Sequence, residues 1–365
     1  MKTRKIALLF MVIVLLMSCG CEPVFIKKDK LTMVDGDELK TDVQILEYQT
    51  LFNGKIESYD IDNSTAVYTS KSSTSDSFEE YSLNYYNDLE TKTILTSIDE
   101  ISRVEILKES EKLAFETINS SDGKVMLYLT GVEGEKKELI YENVVEKFIP
   151  WSVSDSGNVV FLDEKNDIYL YSTASENANV KIKLYTVPME YSVKEIRYIS
   201  KYNILYLLAS NNLSDNVLYR LDISKDSAVL DPIELNVSSF EVANKYNYLI
   251  YNKTNTALKE ELYIYKQNGE KLLITEGSVE MISISNDDRS IAFSTKPSQN
   301  ISTQSIWVMR YGEFDAVQLT ASTQLISDIY WGSSPNELIY SIEVKGDSLN
   351  QKTEKIEFMY INQRK

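Results

Sequence analysis

Short apolar runs separated by polar turns recur along most of the chain. The segment 285–320 shows the pattern clearly, with runs at Ile291–Ser294, Ile306–Met309 and Val317–Thr320, and another run precedes it at Glu280–Ile284. These runs are rich in branched and aromatic residues, and the turns between them are rich in Asn, Asp, Gly and Ser. Such runs are typical of β-strands, and four in succession predict a small antiparallel meander.

An apolar-apolar-aromatic triplet marks the second strand of this meander and occurs seven times in the chain. Its aromatic residues, spaced 42 to 47 residues apart, are Tyr68, Phe115, Phe161, Tyr206, Tyr251, Phe293 and Tyr340. A second aromatic follows in the next strand of each unit, at Tyr85, Tyr128, Tyr169, Tyr219, Tyr263, Trp307 and Phe358. We interpret these rings as packing between neighbouring sheets, because large rings dominate core burial. A period of about 40–50 residues with several strands per unit is typical of β-propellers.

The two ends of the repeating region complement each other. The seventh unit has predicted strands at Ser327–Trp331, Leu338–Val344 and Lys355–Ile361, and the chain then stops without a fourth. A strand-like run at Asp42–Tyr48 precedes the first unit and can supply the missing strand. The sequence therefore predicts an all-β, seven-bladed β-propeller over residues 42–365, closed by its N-terminal strand, with six blades as the alternative. Closure of this kind removes exposed sheet edges.

Residues 1–18 differ from the rest of the chain. A basic start with Lys2, Arg4 and Lys5 leads into an apolar run from Ile6 to Met17. This run is shorter than the roughly twenty residues that a membrane-spanning helix needs, and it suits a signal peptide. The interpretation places residues 1–18 outside the mature, exported domain.

The sequence Leu-Met-Ser-Cys that ends at Cys19 resembles a bacterial lipobox, in which the cysteine becomes the acylated N-terminus. The resemblance implies a lipoprotein with lipid attachment at Cys19, and the alternative is an ordinary secretory signal. Cys21 is the one other cysteine of the chain, so no disulfide framework is available. Residues 19–41 mix charges with few apolar residues, and we interpret them as a lipidated tether on the extracytoplasmic face of the cell membrane.

Units six and seven resemble the TolB-type, WD-like repeat, which runs Trp-Ser-Pro-Asp-Gly, two variable residues, Ile-Ala-Phe, Leu-Trp-Val-Met and Gln-Leu-Thr. The matching segments are Ser285–Ser294, Ile306–Met309, Gln318–Thr320 and Trp331–Ser341, and Trp151–Phe161 matches with one extra residue. The resemblance covers roughly a third of the chain. It implies a propeller fold, but it defines function less closely, because this repeat serves scaffolds, sensors and the gating domains of peptidases.

The composition excludes several kinds of chemistry. The 365 residues include no histidine, which removes the commonest general base and the usual zinc ligand. Both cysteines lie at the predicted anchor, so a thiol nucleophile in the propeller is excluded. The chain also has no spare length for the hydrolase domain that propeller-gated peptidases carry. We therefore expect no cofactor, no metal and a non-enzymatic protein- or peptide-binding scaffold.

One carboxylate precedes the triplet aromatic in each unit, at Glu57, Glu105, Glu146, Glu195, Glu241, Glu280 and Asp328. The first strand of each blade lines the central channel of a propeller, so several of these groups are expected at one channel mouth. Glu57, Glu105, Glu195 and Glu241 share a register within one residue and form the candidate acidic ring. Such a ring would bind a cation or a basic peptide segment. The alternative is that these are solvated charges at strand starts.

The net charge of −17 narrows the choice of partner. Long-range repulsion disfavours nucleic acid and bare anionic lipid or wall polymers, whereas a basic protein, a cation or a neutral glycan is compatible. We predict a cell-envelope protein or peptide as the partner, with membrane contact only through the lipid anchor. The alternative function is a carboxylate-dependent carbohydrate-active enzyme, because glycosidases use paired Asp or Glu residues.

Overall fold

The structure is a computed structural model that describes most of residues 43–363 and a short segment before them. The described residues are 33–34, 43–54, 58–62, 65–73, 79–87, 90–107, 111–134, 136–143, 148–173, 180–211, 214–225, 228–296, 304–312, 316–322, 325–332, 336–345 and 352–363. The predicted signal peptide, Cys19 and Glu57 lie outside them.

The described residues form strands and a single 3₁₀ turn at Ser200–Tyr202. β1 (Met33–Val34) and β2 (Val43–Gly54) come first. Sheet 1 has β3 (Ser58–Asp62), β4 (Thr65–Ser73), β5 (Glu79–Asn87) and β6 (Glu90–Ser97). Sheet 2 has β7 (Glu100–Leu107), β8 (Lys112–Ile118), β9 (Val125–Gly131) and β10 (Glu138–Asn143). Sheet 3 has β11 (Trp151–Val153), β12 (Val159–Leu162), β13 (Asp167–Tyr171) and β14 (Lys181–Thr186). Sheet 4 has β15 (Tyr191–Ile199), β16 (Ile204–Asn211), β17 (Ser214–Asp222) and β18 (Asp231–Leu235).

Three further sheets follow in the same manner. Sheet 5 has β19 (Val237–Val242), β20 (Tyr248–Thr254), β21 (Glu260–Lys266) and β22 (Lys271–Glu276). Sheet 6 has β23 (Ser278–Ile284), β24 (Ser290–Lys296), β25 (Gln304–Arg310) and β26 (Ala316–Ser322). Sheet 7 has β27 (Leu325–Trp331), β28 (Glu337–Lys345) and β29 (Lys352–Gln363). Within every sheet, consecutive strands are hydrogen-bonded antiparallel neighbours, which confirms the prediction of an all-β chain built from meanders.

The two leading strands join the last two sheets. β2 pairs antiparallel with β29, from Val43 opposite Gln363 to Gly54 opposite Glu354, and so gives sheet 7 a fourth strand. β1 pairs parallel with β26 through Met33 and Val34. Two residues of the predicted tether are therefore part of a sheet.

The core lies between neighbouring sheets. All seven triplet aromatics are buried, with at most 5% of their surface exposed. The rings of Phe115 and Phe161 stack on the next strand's Tyr128 and Tyr169, with centroids 5.4 and 5.8 Å apart. Buried residues form seven apolar clusters, six of which each join one sheet to the following sheet, and the seventh joins sheet 7 to sheet 1. Burial of these faces on both sides explains why the strands read as nearly continuous apolar runs.

Asparagine and aspartate take tight-turn positions that glycine often fills. Asn166, Asn203, Asn247 and Asp288 have φ between 50° and 60°, in the left-handed region. Their short polar side chains tolerate this conformation better than other side chains do. A chain with only 12 glycines can therefore still close its hairpins.

Candidate functional site

A central cavity of about 540 Å³ is lined by the first strand of every sheet. Its lining includes Asp60 of β3, Glu105 of β7, Val153 of β11, Arg197 of β15, Glu241 of β19, Ser283 of β23 and Asp328 of β27. Asp155, Asn244 and Asn286, in turns that lead from a first to a second strand, line it as well. The cavity therefore lies toward the end of the sheets at which these turns lie.

Three carboxylates of the cavity occupy the same register in different sheets. Asp60, Glu105 and Glu241 each sit opposite the residue that precedes the buried triplet aromatic of the next strand. The paired residues are Asp60 with Val67, Glu105 with Ala114, and Glu241 with Ile250. Since side chains alternate between the two faces of a strand, a common register directs the three carboxylates in the same sense.

Two arginines share the cavity with these carboxylates. A guanidinium nitrogen of Arg197 lies 3.0 Å from Glu195 Oε1, and both side chains are just over one quarter exposed. Burial lowers the pKa of Arg197, but the nearby carboxylates outweigh it and raise this pKa above its ordinary value; they are Glu195, Glu241, Glu105 and Asp60. Arg197 therefore keeps its charge inside the cavity.

The second arginine, Arg103, lies on β7 two residues before Glu105. Its guanidinium forms an ion pair with Glu105 and lies 4.4 Å from the centroid of the Trp151 ring, on sheet 3. The ion pair and the cation–π contact both orient Arg103.

Carboxylates of the cavity also join neighbouring sheets. The backbone N–H of Ile106 donates to Asp60 Oδ2 at 2.6 Å, and that of Val153 donates to Glu105 Oε2 at 2.8 Å. The backbone N–H of Ser200 donates to Asp155 Oδ1 at 2.7 Å. Each bond crosses from one sheet to the next, so these carboxylates have a structural role besides any role in binding.

Burial perturbs the pKa of the cavity carboxyl Asp328. Burial raises its pKa to about 6, although hydrogen bonds from the Tyr330 hydroxyl, at 2.9 Å, and the Ile329 backbone N–H, at 2.8 Å, oppose the rise. Near pH 6 this group is therefore close to half protonation, which suits a carboxyl group to proton transfer.

Asp328→Asn is expected to stabilise the protein at pH 7.5 by about 1–2 kcal/mol and to have little effect near pH 4. Between about pH 4 and 6 the folded chain retains the Asp328 proton while the unfolded chain releases it. The raised pKa therefore contributes stability below this window that is lost as the pH rises through it. Urea unfolding of both proteins at the two pH values measures the difference. Asp231→Asn, at an exposed carboxylate, serves as the control, and equal stability of wild type and Asp328→Asn at pH 7.5 would contradict the expectation.

The four residues of the predicted acidic ring are placed differently. Glu105 and Glu241 line the cavity, Glu195 contacts Arg197 without itself lining the cavity, and Glu57 lies outside the described residues. The ring of four therefore stays a prediction. The sequence interpretation missed Asp60, and it also missed Arg103 and Arg197. Their signal was the spacing of two residues between Arg103 and Glu105 and between Glu195 and Arg197, which puts each pair on one face of a strand.

Among the residues that the structure describes, no group of three or more His, Cys, Asp or Glu side chains is arranged to hold a metal ion. Within the same described part of the chain, no helix is long and apolar enough to cross a membrane.

Comparison with known proteins shows likeness in structure alone. No protein-family model matches the sequence, and no curated protein matches it either. The β-propeller domain of the trilobed protease from Pyrococcus furiosus, described as having an open velcro topology, superposes with a TM-score of 0.59. The alignment covers 86% of this chain and 96% of that one at 12% identity.

Two other structures help to define what the likeness means. An oligogalacturonate lyase in complex with manganese superposes with a TM-score of 0.55 at 8% identity, covering 82% of this chain and 98% of that one. TolB from Acinetobacter baumannii gives a TM-score of only 0.44 at 15% identity over 65% of this chain and 62% of that one, which is too weak to argue from. Because the well-superposed structures include a lyase and a protease domain, the fold does not decide whether this chain is an enzyme. The seven described sheets and the superposition on the Pyrococcus furiosus propeller domain identify the chain as an all-β protein with a β-propeller fold.

Proposed function

We propose that the chain is a seven-bladed β-propeller that binds a basic segment of a protein or peptide at its central cavity, without catalysing a reaction. The observation that carries this proposal is the charge of the cavity lining. Among the described residues, five carboxylates line the cavity, at Asp60, Glu105, Asp155, Glu241 and Asp328, against two guanidiniums, at Arg103 and Arg197. The lining is acidic, like the chain as a whole, and an acidic concave surface attracts cationic side chains.

The contacts between the first and last sheets support a closed ring of blades. Ala66 and Tyr68 of sheet 1 share an apolar cluster with Ile339 of sheet 7, so the last sheet packs against the first. β2 completes sheet 7 by pairing with β29. We infer that seven blades form a ring that the N-terminal strand closes, because every sheet then has two neighbours and no apolar face is left uncovered.

The proposed location follows from the sequence. Lipid attachment at Cys19 would place the propeller on the extracytoplasmic face of the cell membrane, next to other envelope proteins. The lipobox-like sequence before Cys19 supports this proposal, and so does the scarcity of cysteine in the rest of the chain. The TolB-type motif of units six and seven agrees with a scaffold role in the envelope.

A fluorescein-labelled tetralysine peptide tests the binding proposal by fluorescence anisotropy at low salt. Wild-type protein is expected to bind it. Glu241→Gln is expected to weaken binding about three- to tenfold, because the substitution removes one negative charge with little change in side-chain size. Binding should weaken as salt is raised.

Two controls make this measurement specific. Glu190→Gln removes an exposed carboxylate outside the cavity and is expected to leave tetralysine binding unchanged. A labelled tetraglutamate peptide is expected not to bind. Equal affinity of wild type and Glu241→Gln for tetralysine would overturn the proposal.

One observation favours the alternative of a carbohydrate-active enzyme. Asp328, with its pKa raised to about 6, would suit a general acid, and further carboxylates line the same cavity. If the wild-type protein released reducing sugar from a glycan and the Asp328→Asn variant did not, the result would support the enzyme over the scaffold.

A further inference from the structure

A surface cleft of about 490 Å³ lies between sheets 5 and 6 and shares no lining residue with the central cavity. Its walls come from the β19–β20 turn, the end of β21 and the turn that follows it, and the residue that follows β25. The lining residues are Tyr246, Asn247, Lys266, Gln267, Asn268 and Tyr311. Aromatic rings and side-chain amides thus dominate the cleft.

Three tyrosine rings lead from the core to this cleft. Tyr248 is buried, and its ring stacks on Tyr311 with centroids 4.1 Å apart and planes 3° apart. Tyr311 in turn faces Tyr246, with centroids 6.3 Å apart and planes 27° apart. Tyr246 is 47% exposed, so the stack ends in an open ring.

Hydrogen bonds hold the stack in place. Arg289 Nε donates to the Tyr246 hydroxyl at 3.2 Å, and the Tyr248 hydroxyl donates to the Asp288 carbonyl oxygen at 2.8 Å. A large apolar surface that is already ordered loses little conformational entropy when a ligand binds. The exposed ring of Tyr246 is therefore a prepared flat surface.

Asn247 provides a second, independent observation. It is 7% exposed and has a φ of 50°, yet its Nδ2 is buried without a hydrogen-bond partner in the structure. A buried donor without a partner is destabilising, because it has lost its hydrogen bond to water without gaining another. Asn247 lines the cleft, so a rotation of its side chain that brought Nδ2 to the cleft surface would let an acceptor on a ligand supply the missing bond.

The charges around the cleft already have partners within the protein. Lys266 Nζ lies 3.1 Å from Glu270 Oε2, and Lys245 Nζ donates to the Asn286 carbonyl oxygen at 2.8 Å. Arg289 contacts Tyr246. A charged ligand would have to compete with these contacts, whereas a neutral ligand with hydroxyl groups would not.

We propose that this cleft binds a neutral saccharide. The C–H face of a pyranose ring stacks on Tyr246, whose ring face is electron-rich, and its hydroxyls bond to the amides of Gln267 and Asn268 and to Asn247. The site is separate from the central cavity, so it stands whether or not the cavity binds a basic peptide.

Calorimetric titration of the full-length protein, in a detergent without a sugar headgroup, tests the proposal. The probes are maltohexaose, cellohexaose, chitohexaose and the charged hexagalacturonate. At least one neutral hexasaccharide is expected to bind saturably, and Tyr246→Ala to weaken that binding about tenfold. Tyr246→Phe keeps the ring and is expected to stay within about threefold of wild type.

Matched variants separate recognition from folding. Leu258 is 86% exposed at the opposite end of sheet 5, so Leu258→Ala is expected to leave saccharide binding unchanged. Glu241→Gln, in the central cavity, is expected to leave it unchanged too. Binding of none of the neutral probes, equal binding by Tyr246→Ala and wild type, or binding of hexagalacturonate alone would overturn the proposal. Thermal unfolding of Tyr246→Ala verifies that the variant is folded.

Discussion

A chain that begins at residue 55 is expected to lose cooperative unfolding and to aggregate, because it lacks β2. The ladder between β2 and β29 runs the whole length of the 12-residue β2, from Val43 opposite Gln363 to Gly54 opposite Glu354. Each ladder hydrogen bond contributes about 1 kcal/mol, so the loss is comparable with the roughly 5–15 kcal/mol that stabilises a whole domain. The deletion also leaves β29 as a long unpaired edge, which invites pairing with other chains.

Circular dichroism during urea unfolding, together with size-exclusion chromatography, measures the effect. The matched control begins at residue 42 and so lacks the predicted tether and β1 but retains β2. It is expected to unfold in one transition and to elute as a single species. If the chains from 42 and from 55 unfolded at the same urea concentration, closure by β2 would be wrong. A synthetic peptide of residues 43–54 is expected to restore part of the lost stability by adding its strand in trans.

Cys19→Ala is expected to release the mature protein from the membrane. In the proposed arrangement the acyl chains on Cys19 are the sole anchor, and each buried methylene contributes about 0.8 kcal/mol to membrane attachment. The substitution removes the attachment atom, so no partial anchoring through this residue remains.

Detergent phase partition of cell fractions, with mass spectrometry of the N-terminus, measures the release. Cys21→Ala is the matched control and is expected to remain in the detergent phase with a lipid-modified Cys19. The mass of the variant must show that residues 1–18 have been removed, since an uncleaved apolar run would itself retain the chain. A cleaved Cys19→Ala protein that stayed with the membrane would refute the anchor.

The repeat could be predicted from the sequence because its strongest signal is buried. Phe115, Phe161 and Phe293 recur at a regular spacing since each fills the space between two sheets, where few other side chains fit. The turns could be predicted equally well, because Asn and Asp, which tolerate the left-handed conformation, occupy several of the positions with positive φ. Both signals are local, and the sequence shows local signals directly.

The strand register that places residues in the cavity could not be predicted from the spacing of the aromatic residues. β3 and β4 pair as far as Asp62 opposite Thr65, whereas β7 and β8 pair as far as Leu107 opposite Lys112, so the second hairpin turn is longer. Counting back from the aromatic therefore led to Glu57, although Asp60 occupies the position equivalent to Glu105.

Glu195 illustrates a related difficulty. In β15 the pairing is regular from Ile199, opposite Ile204, back to Glu195, which sits opposite Leu208, two residues beyond the triplet aromatic Tyr206. Glu105 and Glu241 sit opposite the residue before their aromatics. The two positions differ by three residues, an odd number that reverses the facing of the side chain, and counting residues back from the aromatic does not reveal this difference.

The bonds from Asp60 and Glu105 to the backbone of the following sheet have a mechanical consequence. The carboxylates that could bind a cationic ligand are the same groups that hydrogen-bond one sheet to its neighbour. A ligand that drew the Glu105 side chain toward the cavity would weaken its hydrogen bond to Val153 and so the contact between sheets 2 and 3. Ligand binding in the cavity and the stability of this contact would therefore be thermodynamically linked.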